Sequence, residues 1–240
     1  MAPSWRQWLQ FGDEFRRFAQ LAFSAQRRFP LRWGDRYPCL DDRSSETHFD
    51  RHYVYHTAWA ARKLAELRPA YHVDISSQLQ WTTVASAFVP IRFYDYRPAK
   101  VVLDGLSTDR ADLTNLHFES GSIASLSCMH VVEHVGLGRY GDPLDYDGDL
   151  KAMRELSRVL APGGHLLFVV PTGAPRIQFN AHRIYSTRQV LEAFPSLQLR
   201  ELALIPDSAA DGELIRDADP ALADRQAYGC GCYHFYKPPG

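Results

Sequence analysis

A short polar cluster, His130, Glu133 and His134, follows directly on an apolar run at residues 123–129. Histidine suits proton transfer because its ordinary pKa lies close to the pH at which most enzymes work. If the chain turns helical here, the two histidines lie one turn apart on one face, and Glu133 can orient either of them. We therefore predict that all three residues are catalytic, with a histidine as general base. The alternative is that they stabilise a local turn and that catalysis rests on proximity alone.

A polar, glycine-rich loop at residues 136–145 comes next, and such loops at a sheet edge often shape an acceptor site. Side chains of this loop suit a sugar or a phosphate, and a second polar run, after a later strand, is expected to approach the same opening. The residues predicted to bind the substrate are Arg139, Tyr140, Asp142, His182, Arg183 and Tyr185. The alternative is a solvated loop and the start of a helix.

Three further histidines, His48, His52 and His56, recur at every fourth residue, and such a row can bind a divalent metal. More often such a row lines a buried polar seam, so no metal site is predicted. The four cysteines do not form the paired motifs of a zinc site, and a disulfide framework is not expected. A reducing cytoplasm is the expected compartment.

The elements that must position these residues can be read from the pattern on either side of the loop. Beyond Asp149, the predicted N-cap, apolar residues recur at helical spacing as far as Leu160. Pro162, Gly163 and Gly164 are expected to stop that helix. Residues 165–170 then form a near-continuous apolar run, which is typical of a strand buried on both faces. Strand, loop, helix and strand in this order indicate half of a doubly wound α/β sheet.

The rest of the chain continues this alternation of strands and helices, which predicts a parallel sheet with right-handed crossovers. Strands are predicted at residues 71–75, 91–96, 101–104, 123–129, 165–170, 197–205 and 230–236. Helices are predicted at residues 47–67, 79–88, 149–160 and 186–194, with a polar loop at 207–227.

The segment from Cys128 to Pro171 resembles the second half of a class I S-adenosylmethionine (SAM)-dependent methyltransferase. The resemblance lies in the His-x-x-Glu-His run and in the leader Arg158–Gly164, which reads Arg-x-Leu-x-Pro-Gly-Gly. The runs 182–186 and 228–235 are similar to a branch of the family that is associated with surface-polysaccharide biosynthesis. The resemblance implies a Rossmann-like, mostly parallel seven-stranded sheet with an antiparallel last strand. It also implies SAM as cofactor and O-methylation of a small or sugar-type acceptor, with sugars and nucleotide sugars as the candidates.

The same resemblance implies a set of cofactor-binding residues: Asp74, Ser76, Ser77, Asp95, Asp112 and Leu113. In the family an acid after the first strand is followed by alternating glycines, and here Ser76, Gln78 and Gln80 stand in their places. The serines can hydrogen-bond the ligand's carboxylate or cap the next helix. The second reading of the chain is therefore a degenerate methyltransferase fold that acts as a binding or assembly module without catalysis.

Residues 1–46 are predicted to be a helical extension of a methyltransferase-like domain at 47–240. The extension carries an amphipathic, arginine-rich helix that packs on a core or contacts a partner or an anionic membrane surface. The arginines are Arg6, Arg16, Arg17, Arg27, Arg28, Arg32 and Arg36. A net charge of −1 gives no basic field for nucleic acid, and no run of residues is apolar enough to span a membrane. The resemblance further implies that the helix at 47–67 is a lid over the cofactor.

Overall fold

The computed structural model describes residues 4–24, 29–43 and 45–239, so Arg27 and Arg28 lie outside the described residues. The chain divides into two compact units, with the boundary between Phe49 and Asp50. We call them the N-terminal unit and the sheet unit. Within the described residues, no helix combines the length and the hydropathy that a membrane crossing requires.

The N-terminal unit contains the predicted amphipathic helix, α1 (Trp5–Ser24). The Trp33 ring packs against Phe11 and Phe15, at centroid distances of 5.9 Å and 4.9 Å. Trp5, on the same helix, is largely exposed. The aromatic residues whose spacing predicts the helix thus include those that make its contacts within this unit.

The sheet unit is built on seven strands: β1 (His72–Ile75), β2 (Ile91–Asp95), β3 (Leu106–Arg110), β4 (Ile123–Met129), β5 (Leu160–Thr172), β8 (Gln198–Ile205) and β9 (Gly229–Tyr236). Their order in the sheet is β3-β2-β1-β4-β5-β9-β8. β1 to β5 pair in parallel, whereas β9 pairs antiparallel with both β5 and β8. The predicted Rossmann-like sheet with an antiparallel last strand is confirmed.

Helices cover both faces of this sheet, because its central strands are apolar on both sides. The helices are α2 (Arg51–Leu67), α3 (Leu79–Ala85), α4 (Gly148–Val159), α5 (Thr187–Ala193) and α6 (Pro220–Asp224). Phe168 of β5 belongs to the core that includes α4 and α5, and Val169 belongs to the core that includes α2 and α3. Strand β5 is therefore buried between two helical layers.

Several element boundaries differ from the prediction. The third strand is Leu106–Arg110, not residues 101–104, because the parallel ladder pairs Ile91 with Leu106 and leaves Val102 fully exposed. Helix α4 begins at Gly148, so Asp149 lies in its first turn and is not its N-cap. The Pro-Gly-Gly run lies within β5, because the helix has already ended at Val159.

The structure also has a short hairpin that the sequence pattern does not reveal. It consists of β6 (Arg176–Gln178) and β7 (His182–Ile184), which pair antiparallel. The residues of β6 are all exposed, so no apolar alternation marks this strand. The hairpin brings the predicted substrate-binding run at residues 182–185 alongside β5, through a bridge between Thr172 and Tyr185.

Candidate functional site

A cavity of about 370 Å³ opens at the carboxyl ends of β1, β2 and β4. Open α/β sheets bind ligands at this edge, where the strand order reverses. Here the reversal lies between β1 and β4. The lining residues are Ser76, Asp95, Tyr96, Arg97, Ala111, Asp112, Leu113, Thr114, His130, Val131, His134, Val135, Gly136, Tyr140, Asp142, Pro143, Asp145 and Gly148. The cavity has the size of a small-molecule or cofactor site.

The turn after β1 is built around Asp74, which is completely buried behind the cavity wall. Its carboxylate accepts hydrogen bonds from Ser77 N (3.0 Å), Trp81 Nε1 (3.1 Å) and Ser127 Oγ. Burial raises the pKa of Asp74 to about 6, although hydrogen bonds from Ser127, Trp81 and Ser77 act in the opposite direction. Asp74 therefore supports the turn from behind and does not face the cavity, contrary to its predicted role as a cofactor-binding residue.

The two serines after β1 have different surroundings. Ser76 lines the cavity, and its φ of 58° lies in the left-handed region. Glycine adopts this conformation most readily, and the methyltransferase pattern has a glycine at this position. Ser77 is buried, and its hydroxyl accepts a hydrogen bond from Met129 N at 3.0 Å. Only Ser76 of this pair lines the cavity, whereas Ser77 links the turn after β1 to the end of β4.

Three other predicted cofactor residues line the cavity. The Asp95 carboxylate, at the end of β2, accepts one hydrogen bond, from Arg97 N at 2.7 Å. Asp112 accepts from Thr114 N and Thr114 Oγ1 through Oδ1, at 2.9 Å and 2.7 Å. Leu113 is buried and forms an apolar part of the wall. Asp95 and Asp112 each keep a carboxylate oxygen without a hydrogen-bond partner among the described residues.

The predicted catalytic residues surround the end of β4. His130 has a φ of 56°, and its Nδ1 lies 2.9 Å from Glu133 Oε1. Burial lowers the pKa of His130 to about 4 and raises that of Glu133 to about 7. His134 Nδ1 donates to Ala181 O at 2.6 Å, which leaves the lone pair on Nε2. His130 and His134 line the cavity, whereas Glu133 lies behind them.

Residues from α2 and β9 pack around His130, and the sequence reasoning did not place them there. The His52 ring stacks on His130 at a centroid distance of 5.6 Å, and His56 meets it edge-on at 5.1 Å. Cys230 Sγ lies 3.4 Å from His130 Nε2. The four-residue spacing of His52 and His56 indicates that they share one face of a helix. It does not reveal His130 as their partner, because His130 lies on a distant segment of the chain. No residue of α2 is among those that line the cavity, although α2 packs on His130, so the lid role stays a prediction.

The loop after His134 folds back on itself, and several of its polar groups are used to hold that fold. Asp142 accepts from Gly136 N and Tyr140 N, at 2.8 Å and 3.2 Å, although it also lines the cavity. Gly136 has a φ of 80°, and a β-carbon there would collide with the Asp145 carbonyl oxygen. Arg97, which the sequence reasoning missed, lies over the Tyr140 ring at 5.0 Å.

The other predicted substrate-binding residues do not line the cavity. Arg139 donates to Ala181 O at 3.2 Å, and the His182 ring packs on Tyr228 at 4.8 Å. Arg183 is buried and donates to Val135 O at 2.7 Å. Tyr185 is also buried, and its hydroxyl donates to Asp149 Oδ2 at 2.9 Å. Arg183 and Tyr185 line a separate groove beside α4, away from the opening at which they were expected.

Comparisons of the amino-acid sequence with known families and proteins give one match. A family model described as "Caenorhabditis protein of unknown function, DUF268" matches residues 110–194. A comparison with curated protein sequences gives no match.

Among solved structures, the cyclase SpnF is 15% identical with a TM-score of 0.54, over 76% of this chain and 82% of that one. The N-methyltransferase NodS from Bradyrhizobium japonicum, in complex with S-adenosyl-L-homocysteine (SAH), is 15% identical with a TM-score of 0.53, over 82% and 93%. A SAM-dependent methyltransferase from Mesorhizobium loti is 16% identical with a TM-score of 0.50, over 75% and 98%. These similarities establish the Rossmann-like methyltransferase fold.

Proposed function

We propose that this chain is a SAM-dependent methyltransferase that acts on a small acceptor. The observation that carries the proposal is the cavity at the switch point of the sheet, with Ser76, Asp95 and Asp112 at successive strand ends. NodS has the same fold and is described as bound to SAH. The cavity volume of about 370 Å³ is in the range of sites that enclose a cofactor.

The residues of the cavity fit the polar groups of SAM. In this proposal, the open carboxylate oxygen of Asp95 accepts from the ribose hydroxyls, because a carboxylate accepts hydrogen bonds and donates none. Leu113 packs on the adenine, and Asp112 accepts from its exocyclic amine. Ser76 offers its backbone and hydroxyl to the methionine end. When bound, the cofactor supplies an electrophilic sulfonium methyl group.

The general base of the proposed reaction is His134. Its Nδ1 proton is committed to Ala181 O, so the unprotonated Nε2 is available to accept a proton. Burial lowers the pKa of His134, which keeps the ring neutral at neutral pH. Both nitrogens of His130 have a partner within hydrogen-bond distance, Glu133 at 2.9 Å and Cys230 at 3.4 Å, whereas Glu133 Oε1 is 3.8 Å from His134 Nε2. His134 is therefore better placed than His130 to take the proton of an acceptor hydroxyl.

We infer that the acceptor is a small hydroxyl compound of the sugar type, methylated on oxygen in the cytoplasm. Tyr140 and Asp142 line the cavity, and they offer polar groups to such a compound. The link to surface polysaccharides rests on the resemblance of residues 182–186 and 228–235 alone.

The second candidate is a binding module without methyl transfer. It is favoured by Ser76, because its side chain takes up space in the turn after β1 that a glycine would leave open for the cofactor. A relative of the same fold, SpnF, is described as a cyclase, so the fold does not determine the reaction. Incubation with labelled SAM and a panel of sugar nucleotides distinguishes the candidates, because only the enzyme passes label to an acceptor.

Calorimetry with SAH tests the proposed cofactor directly. We expect saturable binding, and the Asp95→Asn variant should bind about 10-fold more weakly or worse, because hydrogen bonds to a charged group contribute about 1.5–3 kcal/mol. The Asp109→Asn variant is a matched control, since this exposed acid on β3 does not line the cavity. Absence of heat and of a thermal shift with the wild-type chain would overturn the proposal. Equal affinities of the Asp95 variant and the wild type would refute the ribose assignment.

A further inference from the structure

Three potential metal ligands converge beside the cavity: His52 of α2, His130 at the end of β4, and Cys230 of β9. One donor atom of each residue lies within 4.8 Å of the corresponding atoms of the other two. We call these three residues the His–Cys cluster. The nitrogen and thiolate donors in this set are those that zinc prefers, whereas magnesium and calcium prefer oxygen.

The distance between two donors of the His–Cys cluster is close to that in a tetrahedral site. His130 Nε2 and Cys230 Sγ are 3.4 Å apart. With Zn–N near 2.0–2.1 Å and Zn–S near 2.3 Å, tetrahedral geometry separates these two atoms by about 3.6 Å. The rings of His52 and His130 are stacked, with an interplanar angle of 10°. Because the lone pair of an imidazole lies in the ring plane, the His52 ring must rotate before all three donors meet on one ion.

An outer contact orients His130 as metal-ligating histidines are usually oriented. Glu133 Oε1 accepts from Nδ1 of His130 at 2.9 Å, which leaves the lone pair of Nε2 directed at Cys230. Histidines that bind zinc commonly make such a second bond to a carboxylate or to the backbone, because it fixes the tautomer and the ring. The His52 ring is held by stacking on the Tyr228 ring, at a centroid distance of 5.1 Å.

The charge balance around the His–Cys cluster also favours a cation. Glu133 is 1% exposed, and within the described residues no permanently charged side chain lies at ion-pair distance from it; only the imidazoles of His130 and His134 do. Its second oxygen, Oε2, is buried without a hydrogen-bond partner in the described part of the chain, as is Nε2 of the neighbouring His56. A buried carboxylate is stable when a positive charge lies nearby. A divalent ion on His130 would supply that charge.

We propose that His52, His130 and Cys230 bind a zinc ion, with the fourth position open to water or to a further ligand. The proposal replaces the prediction that the chain has no metal site, and it assigns His130 a ligand role while His134 remains the proposed base. It does not depend on methyltransferase activity, because none of the three donors is assigned to the cofactor in the proposed function.

Metal analysis of the untagged full-length chain tests the proposal first. We expect about one zinc ion per chain, as in a mononuclear site with three protein ligands. After removal of the zinc with a chelator, added Co²⁺ should give the near-ultraviolet charge-transfer band of a cobalt–thiolate bond, together with the visible bands of tetrahedral cobalt. Absence of both zinc uptake and the cobalt–thiolate band would overturn the proposal.

Single variants then identify the ligands. Cys230→Ser should abolish the cobalt–thiolate band, and His52→Ala should weaken zinc binding by at least about 10-fold, the lower limit seen when even an outer contact is lost. Cys39→Ser and His48→Ala are matched controls, since both residues are exposed and neither belongs to the cluster. A band that persists in Cys230→Ser, or controls that lose zinc equally, would contradict the assignment.

A folding readout keeps these variants informative. Zinc should raise the melting temperature of the metal-free wild type, and it should leave metal-free Cys230→Ser unchanged, because only the wild type gains binding energy in the folded state. If Cys230→Ser does not fold, the more conservative outer-contact variant Glu133→Gln replaces it, with zinc affinity expected to fall about 10–100-fold. An unchanged affinity in Glu133→Gln would count against the site.

SAH calorimetry on the metal-free wild type tests the proposed cofactor without the zinc ion. The zinc proposal and the cofactor proposal can therefore fail independently of each other.

Discussion

At the scale of single residues, the cavity is bordered by two side chains in the left-handed region. Ser76 and His130 have φ values of 58° and 56°. Such a conformation costs a residue other than glycine about 1–2 kcal/mol, so the surrounding structure must enforce it. The backbone N–H of Ser76 donates to Tyr94 O at 2.7 Å, and that of His130 donates to Val169 O at 2.8 Å. The ends of β1 and β4 are thus fixed by the neighbouring strands in the conformation that exposes these residues to the cavity.

Asp74 gives a prediction of pH dependence. Its pKa is raised by burial to about 6, whereas an unfolded aspartate titrates near its ordinary 3.8. The folded chain therefore holds the proton more tightly than the unfolded chain, and the free energy of unfolding falls as the pH rises from about 4 to about 6. The difference in pKa corresponds to about 3 kcal/mol at neutral pH.

Asp74→Asn should remove this contribution, because the amide has the same shape and does not titrate. Urea unfolding of both proteins between pH 4 and pH 8 measures the effect. The free energy of unfolding of the wild type, minus that of the variant, should decrease by about 3 kcal/mol over that range. A difference that stays constant with pH would mean that Asp74 titrates as it does in the unfolded chain.

At the scale of elements, helix α2 is fastened to β8 by charged and polar contacts. Glu201 of β8, which is 6% exposed, pairs with Lys63 and accepts from Trp59 Nε1 at 3.3 Å. Arg216 completes the set with two hydrogen bonds of 2.9 Å. Although burial opposes it, hydrogen bonds from Arg216 and Lys63 lower the pKa of Glu201 to about 2. The same helix carries His52, so this attachment also positions the His–Cys cluster.

Glu201→Gln should destabilise the chain substantially. The substitution leaves the buried Lys63 ammonium with only the more exposed Glu66 as a carboxylate partner. Hydrogen bonds to a charged group contribute about 1.5–3 kcal/mol, so we expect a loss of at least that size. Glu192→Gln is the matched control, because Glu192 forms an exposed pair with Arg188 that contributes well under about 1 kcal/mol. Chemical denaturation at neutral pH measures both variants. Equal losses in the two would show that Glu201 does not hold α2.

The elements also show what the sequence reveals and what it does not. β5 and β9 are predictable, because each is an apolar run buried on both faces. β3 is not predictable, because an edge strand that reads Leu-Ser-Thr-Asp-Arg lacks apolar alternation. Asp95 and His130 are found at strand ends, where ligand sites are expected. His52, His130 and Cys230 lie on segments far apart in sequence. Their proximity is therefore visible only in the folded structure.

At the scale of the whole molecule, the sheet, the cavity and the His–Cys cluster all belong to the sheet unit. The core residues of both helical layers lie after Asp50, so this unit has enough buried apolar surface to fold by itself. The N-terminal unit has its own contacts, such as Trp33 against Phe15. The predicted domain boundary at residue 46 and the contact boundary after Phe49 differ by only a few residues.

A chain that begins at Asp50 should therefore fold and bind SAH with an affinity within about twofold of the full-length chain, since no cavity residue precedes Ser76. A chain that begins at Arg68 is the contrasting variant. It lacks α2, exposes the apolar surface on which Trp59 and Leu64 pack, and leaves Glu201 without Lys63. Thermal unfolding and SAH calorimetry measure both chains. If the chain from Asp50 were as unstable as the chain from Arg68, the N-terminal unit would be part of the folding unit and not an extension of it.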